Sequence, residues 1–352
     1  MTASLHTTYS VSHVLRHFGR QLRRSCGKQL LATACAGSIG LLSMQASAQE
    51  KTPAYPTKPV SVIVPFAAGT SLDIVARIYA RMLSEQLGGP VIVEPKPGAG
   101  SVLGTSFVAR SAPDGYTLLL GSNSALTIAP NIQSSLDYNL RTSFVPVVTL
   151  FTTSSVMLAR KDFPANTLAE VVEIARRAPG SISYASYGVG TIPHISMAML
   201  ESKSDIKLNH IPYKGGSEAG LAVASAQVDI GFETVVGSIA RLKTGRVKAI
   251  ALLQGTRAPG LLEVPTTTEL GFDEINIPAM MGIFAPAGTP ASVIKKLSDA
   301  STVVVKSKEF EDKVKSIGAQ TLDMTPKALM TALESESDRI GAIVKKVGIT
   351  AE

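Results

Sequence analysis

VSVIVPFAAGTSLDIVARIYARMLSEQL, Val60 to Leu87, is the stretch whose reading decides the fold. Val60–Val64 is an apolar, β-branched run of strand length. Pro65 ends it, and Phe66, Ala67, Ala68 and Gly69 lead into Thr70, Ser71 and Asp73, the residue types that cap a first helical turn. From Ser71 the period becomes helical, with Leu72, Val75, Ala76, Tyr79, Met82 and Leu83 on one face. A strand, a small-residue loop and a helix N-terminus present free N–H groups and a positive dipole end, which suits a carboxylate or phosphate. The same residues also suit an ordinary βα turn with a capped helix, and this segment alone leaves both readings open.

The first 48 residues read as a secretory leader outside the fold. They carry Arg16, Arg20, Arg23, Arg24 and Lys28 and no acid, then an apolar segment from Leu30 to Met44 and the small-x-small site Ala46-Ser47-Ala48. Cleavage after Ala48 and a periplasmic location are the expectation. The whole chain has 34 Lys+Arg against 27 Asp+Glu; without the five leader bases the balance is 29 to 27, a charge of +2. That balance removes the electrostatic case for nucleic acid. Both cysteines, Cys26 and Cys35, lie in the leader, so the 304 residues that follow (352 less 48) hold no disulfide, thiolate metal site or cysteine nucleophile. Only His194 and His210 remain among the histidines, which argues against a zinc site. No cofactor motif survives inspection: in Gly98-Ala99-Gly100-Ser101-Val102-Leu103-Gly104 the third glycine of a dinucleotide fingerprint comes one residue late, and a tight turn with close helix packing is the better reading.

Strand and helix patterns alternate along the rest of the chain, which predicts an α/β fold with mainly parallel sheets flanked by helices. Val91–Val93 and Tyr116–Leu120 read as strands, and Ser122-Asn123-Ser124 as the cap of a short helix. Val145–Ala159 reads as a crossing into a second lobe and Ile277–Pro286 as the return. The predicted organisation is residues 49–150 and 282–352 in lobe 1 and residues 151–281 in lobe 2. The amphipathic segments Ser292–Lys306 and Pro326–Val347 are expected to pack back on lobe 1.

A second loop stands at the same kind of place as the first. Ser186-Tyr187-Gly188-Val189-Gly190-Thr191-Ile192-Pro193-His194 follows one predicted strand and precedes a helix. Its glycines permit backbone geometries that other residues resist, and the amides from Gly190 onward, Pro193 excepted, are available to a guest. One loop per lobe, facing across a cleft, would hold one anion between two helix N-termini.

Six short motifs in register, YPTKPVSVIVPFAAGTSLDIVAR, PGAGSVLG, APDGYTLL, YASYGVGTIPH, HIPYKGG and FAPAGTP, resemble those of the periplasmic solute receptors of tripartite tricarboxylate transporters, also called Bordetella uptake gene (Bug-type) receptors. The resemblance runs from about Tyr55 to the C-terminus. It implies a two-lobed periplasmic binding protein of the type II-like, Venus-flytrap kind, a monomer that clamps a small organic mono- or dicarboxylate and delivers it to membrane transporter subunits. It also implies that main-chain amides of Phe66–Asp73 and Ser186–His194 hold the ligand carboxylate. The chain departs from the family pattern where Thr70 replaces a second glycine, where Gly220–Ala226 lacks an acid, and where Glu233 stands for aspartate.

The candidate ligand residues are therefore Phe66, Ala67, Ala68, Gly69, Thr70, Ser71, Asp73, Ser122, Ser186, Tyr187, Gly188, Gly190, Thr191, His194, Tyr213 and Glu233. Asp73 reads as a loop organiser, because a bare carboxylate would repel a carboxylate guest. His194 is a ligand contact or a core histidine; Tyr213 donates its hydroxyl or packs; Glu233 accepts from a ligand amine or hydroxyl, or closes the hinge. Arg77 lies a turn beyond the loop, so no arginine clamp is apparent. No G-x-S-x-G, H-E-x-x-H or Walker pattern occurs, so an enzyme is not expected. The rival functions are a sensory receptor of the same fold and a periplasmic hydrolase dependent on His194.

Overall fold

The computed structural model describes residues 55–350; the predicted leader and its cleavage site lie outside the described residues. The order begins β1 (Val60–Val64), α1 (Ser71–Leu87), β2 (Val91–Pro95), α2 (Val102–Ala109), β3 (Thr117–Ser122), α3 (Ala129–Ile132), α4 (Leu140–Ser143) and β4 (Phe144–Thr153). It continues with β5 (Ser155–Arg160), α5 (Leu168–Arg177), β6 (Ser183–Ser186), α6 (Ile192–Ser204), β7 (Asn209–Pro212), α7 (Gly216–Ala224), β8 (Ile230–Thr234), α8 (Val235–Leu242) and β9 (Val247–Leu252). The return is β10 (Ala279–Pro286), α9 (Ala291–Val305), α10 (Lys308–Ser316), β11 (Gln320–Thr321) and α11 (Pro326–Val347). None of the helices in the described residues is long and apolar enough to cross a membrane.

The strands form a six-stranded sheet, order β11-β4-β10-β3-β1-β2, and a five-stranded sheet, order β7-β6-β8-β5-β9. Both follow one plan. Three strands pair in parallel in the order second, first, third, and a strand arriving from the other lobe then adds antiparallel: β10 beside β3, and β5 beside β8. The sheets are mixed rather than purely parallel because the chain must cross between lobes, and a crossing strand enters its new sheet from the crevice side. β4 passes into β5 with only Ser154 between them, so one extended run serves both sheets.

Local chemistry explains the elements that border the crevice. β1 is buried at four of its five positions, as a strand covered on both faces requires. α1 buries Val75, Ala76, Tyr79, Leu83 and Leu87 on one face and ends at Gly88, whose left-handed φ of 68° suits the C-cap. The Tyr79 hydroxyl meets the Ser301 hydroxyl at 2.7 Å, joining α1 to α9 inside the core. In PGAGSVLG, Gly104 brings α2 onto β1: a Cβ there would lie 2.8 Å from the Lys96 carbonyl oxygen and 2.9 Å from Pro65 Cβ.

Two expectations need correction. Ser122-Asn123-Ser124 does not cap a helix: Ser122 ends β3, a π-turn covers Ser124–Ile128, and Asn123 makes no cap bond. The Asn123 side chain instead accepts from the Met280 amide at 2.7 Å and donates to Glu336, tying the end of β3 to the return crossing. Nor does α11 pack on lobe 1 alone. Leu329 and Leu333 join the core under the six-stranded sheet, whereas Ile340 and Val344 join the other lobe's core with Ile195 and Met199.

Because the obstacle at Gly104 is backbone, Gly104→Ala is expected to lower stability by about 1–3 kcal/mol, read as a reduced urea midpoint at unchanged slope.

Candidate functional site

Strand direction places both loops on one crevice. The carboxyl ends of β1, β3 and β4 and the start of β10 share an edge of the first sheet. The carboxyl ends of β6, β8 and β9 and the start of β5 share an edge of the second. The two edges meet at Ser154. The first loop leaves β1, the second leaves β6, and each of these is the middle strand of its parallel trio.

The two corners are built alike. In the first, Gly69 has φ 80° and its amide donates to Asp73 Oδ2 at 2.9 Å. The Thr70 amide and hydroxyl both donate to the Ala67 carbonyl, at 3.3 and 2.9 Å, and α1 starts at Ser71. In the second, Gly190 has φ 73° and its amide donates to His194 Nδ1 at 3.0 Å. The Thr191 amide and hydroxyl both donate to the Gly188 carbonyl, at 3.3 and 2.7 Å, and α6 starts at Ile192. Gly69-Thr70-x-x-Asp73 and Gly190-Thr191-x-x-His194 are thus one device used twice, the glycine amide answered by a side chain four residues on.

Those bonds decide which amides remain available. The glycine amides are spent, contrary to the expectation for Gly190, and Gly188 N donates to Ser186 Oγ at 3.1 Å. Asp73 N is spent on Thr70 Oγ1 at 3.3 Å. In the first turn of α1 the amides of Ser71 and Leu72 lack an i−4 partner, as do those of Ile192 and His194 in α6, where Pro193 has none to offer. Ala67–Ser71 are exposed, so the first corner is open.

Charge at the corners is neutralised internally. Asp73 is 2 % exposed, and its two oxygens accept from Arg77 Nε at 3.0 Å and Nη2 at 3.1 Å. Burial alone would raise its carboxyl, but hydrogen bonds from Arg77 and Gly69 outweigh it and hold the group below the usual carboxylate range. Arg77, one turn along the helix, is thus engaged by the loop's own acid. Glu233 is likewise occupied: Arg241 Nε lies 2.6 Å from Oε2 and Nη2 2.9 Å from Oε1. A Cβ at Gly220 would stand 2.3 Å from Glu233 Oε2, so the glycine in α7 makes room for this pair. Glu233 is scaffolding of its lobe.

The second corner rests on a stack of rings. His194 and His210 lie face to face, centroids 4.1 Å apart, and Tyr184 covers the other face of His210 at 4.8 Å. His210 Nε2 is 2.6 Å from Ser186 Oγ. Burial lowers the His194 pKa, and burial together with His194 lowers His210 to about 4. Neutral His194 accepts from Gly190, which assigns His194 a structural role in the loop. Tyr187 donates its hydroxyl to Ser155 Oγ at 2.9 Å, and the Tyr213 amide donates to the Ser186 carbonyl at 3.1 Å, pinning the IPYKGG turn to the loop. Phe66 is half-buried against the first core. Continuing the β1–β3 register puts Ser122 level with Phe66, where its buried Oγ has no partner among the described residues. Sequence reasoning missed Ile128 and Ile132: a Cβ on Gly190 would lie 2.1 Å from Ile132 Cδ1, so the second corner touches the first lobe.

Residues 75–349 match the model of the tripartite tricarboxylate transporter family receptor. The chain belongs to that family. Among solved structures, the periplasmic binding protein BugD is 33 % identical, with TM-score 0.70 over 85 % of this chain and all of that one. MatC from Rhodopseudomonas palustris, with bound malate, is 29 % identical, with TM-score 0.69 over 82 % of this chain and 100 % of that one. Rpa4515 of R. palustris, with adipate, is 25 % identical, with TM-score 0.72 over 84 % and 99 %. The receptor is a two-lobed α/β protein of the periplasmic binding class.

The depressed histidine values of this receptor carry a sign. An unfolded histidine titrates near 6.5, so the neutral stack contributes its full stability above that pH and loses it as pH falls toward about 4. The melting temperature is expected to drop across that window, and His210→Phe, which keeps a stacked ring but cannot titrate, is expected to flatten the drop relative to wild type in matched pH series.

Proposed function

We propose that this receptor captures a small organic acid, a mono- or dicarboxylate, and that the guest's carboxylate sits between the two Gly-Thr corners, gripped by the first-turn amides of α1 and α6. The observation that carries this reading is the twin construction: four first-turn amides without an i−4 partner, at two helix N-termini, beside the sheet edges that join at Ser154. Helix N-termini favour anions through both their unpaired N–H groups and their dipoles. Arg77 and Arg241 are each engaged by an internal carboxylate, so main-chain donors carry the recognition. The bound malate and adipate of the two relatives support a carboxylate as guest.

The remaining parts of the reading follow the family. The leader is cut after Ala48, the mature monomer works in the periplasm, and residues 49–150 with 282–352 close on residues 151–281 around the guest. The closed form is recognised by membrane subunits of a tripartite transporter. The receptor performs no chemistry on its guest: His194 Nδ1 is taken by the Gly190 amide, and Ser186, the hydroxyl that His210 Nε2 meets at 2.6 Å, is fully buried and bonded within its own loop.

Isothermal titration with L-malate, adipate and a wider panel of mono- and dicarboxylates tests the reading; one-to-one binding of at least one acid without turnover is expected, and silence across the panel contradicts it. Ser71→Pro gives a sharper result. Proline is well tolerated at the first helical position, and Thr70 already has the extended backbone (φ −69°, ψ 159°) that a following proline needs. The substitution deletes one donor to a charged acceptor, worth about 1.5–3 kcal/mol, so affinity is expected to fall roughly 10- to 100-fold with the melting temperature unchanged.

A further inference from the structure

The buried stripe of α11 is Leu329, Leu333, Glu336, Ile340 and Val344, at steps of four, three, four and four, which places all five on one face of a single continuous helix. That one face enters two cores. Leu329 and Leu333 pack with Leu119, Leu126 and Phe284 beneath the six-stranded sheet. Ile340 and Val344 pack with Ile195, Met199 and Leu200 of α6 in the five-stranded lobe, where Ile128 and Ile132 also enter.

Glu336, the one polar residue in the stripe, lies at the seam between the two cores. It accepts from Thr127 Oγ1 at 2.8 Å and from Asn123, whose own carbonyl oxygen holds the Met280 amide at the start of β10. One turn on, Arg339 donates to the carbonyls of Glu274 at 3.0 Å and Asn276 at 2.6 Å, in the segment leading into the same strand. Asn131 donates to the Ser337 carbonyl at 2.9 Å, and a Cβ on Gly341 would lie 2.5 Å from Asn131 Oδ1, which accounts for a glycine inside the helix.

We propose that α11 is a third mechanical link between the lobes, beside the two strand crossings, and that its carboxy-terminal half moves with the five-stranded lobe and limits how far the crevice opens. A helix anchored in both cores and clamped to the return crossing at its middle permits rotation only as far as Ile340 and Val344 stay buried. The seat of Gly190 on Ile132 belongs to the same joint, so the helix also sets where the second corner stands relative to the first.

The test needs no guest and is independent of the ligand reading. Nitroxides are placed at exposed Gln86 on α1 and exposed Arg177 on α5, with Cys26 and Cys35 changed to serine, and the spin–spin distance is measured in the ligand-free protein. Wild type is expected to give a single narrow distribution. Ile340→Ala with Val344→Ala is expected to add a population at longer distance, with both lobes still folded by circular dichroism; if the pair fails to fold, Val344→Ala alone decides. A wild-type distribution that is already broad, or a folded variant that matches a narrow wild type, overturns the proposal.

Discussion

Two glycine amides that bond forward to a side chain four residues on are what the rest of the site depends on. Gly69 to Asp73 and Gly190 to His194 fold each corner back on itself, and the first-turn amides that follow Thr70 and Thr191 are left without an i−4 partner. An unpaired amide at the surface is satisfied by water; in a closing crevice it requires another acceptor, and a carboxylate supplies charge as well as lone pairs. On the proposed reading, backbone geometry therefore carries anion recognition. On that reading the receptor recognises the carboxylate group, and discrimination among acids falls to the remaining crevice wall, where Ser122 has a buried hydroxyl with no partner among the described residues.

The two acceptors are not equivalent. Asp73 is charged and buried and needs Arg77, itself half-exposed, beside it, and the glycine amide holds the carboxylate in place. His194 is neutral and stacks half-buried against His210, which ties the second corner to pH between 6.5 and about 4. The sheets beneath repeat the same strand plan, with β1 and β6 in equivalent places, so the two corners leave corresponding strands of their sheets.

Much of this was legible in the sequence. The strand-loop-helix at Val60–Leu87 and the crossings near Val145–Ala159 and Ile277–Pro286 follow from period and composition, since apolar runs of strand length and amphipathic helices are local signals. The Gly-Thr-x-x-acceptor repeat was visible at Gly69 and Gly190, but its meaning required knowing that the fourth residue turns back to the glycine. Non-local partners were not legible. Nothing near Glu233 in the chain announces Arg241 as its mate rather than a ligand, and nothing in the stripe of α11 tells that its two ends serve different cores. Asn123 looked like a helix cap because its residue type suits one; the return crossing, 157 residues away, claimed its side chain.

The most direct measurement is an amide-resolved NMR titration of the receptor with an acid that binds it. The largest shift changes are expected on the Ser71, Leu72, Ile192 and His194 amides, in both lobes at once. Saturable binding that leaves those four resonances unmoved, or that moves only one corner, would contradict recognition by both corners.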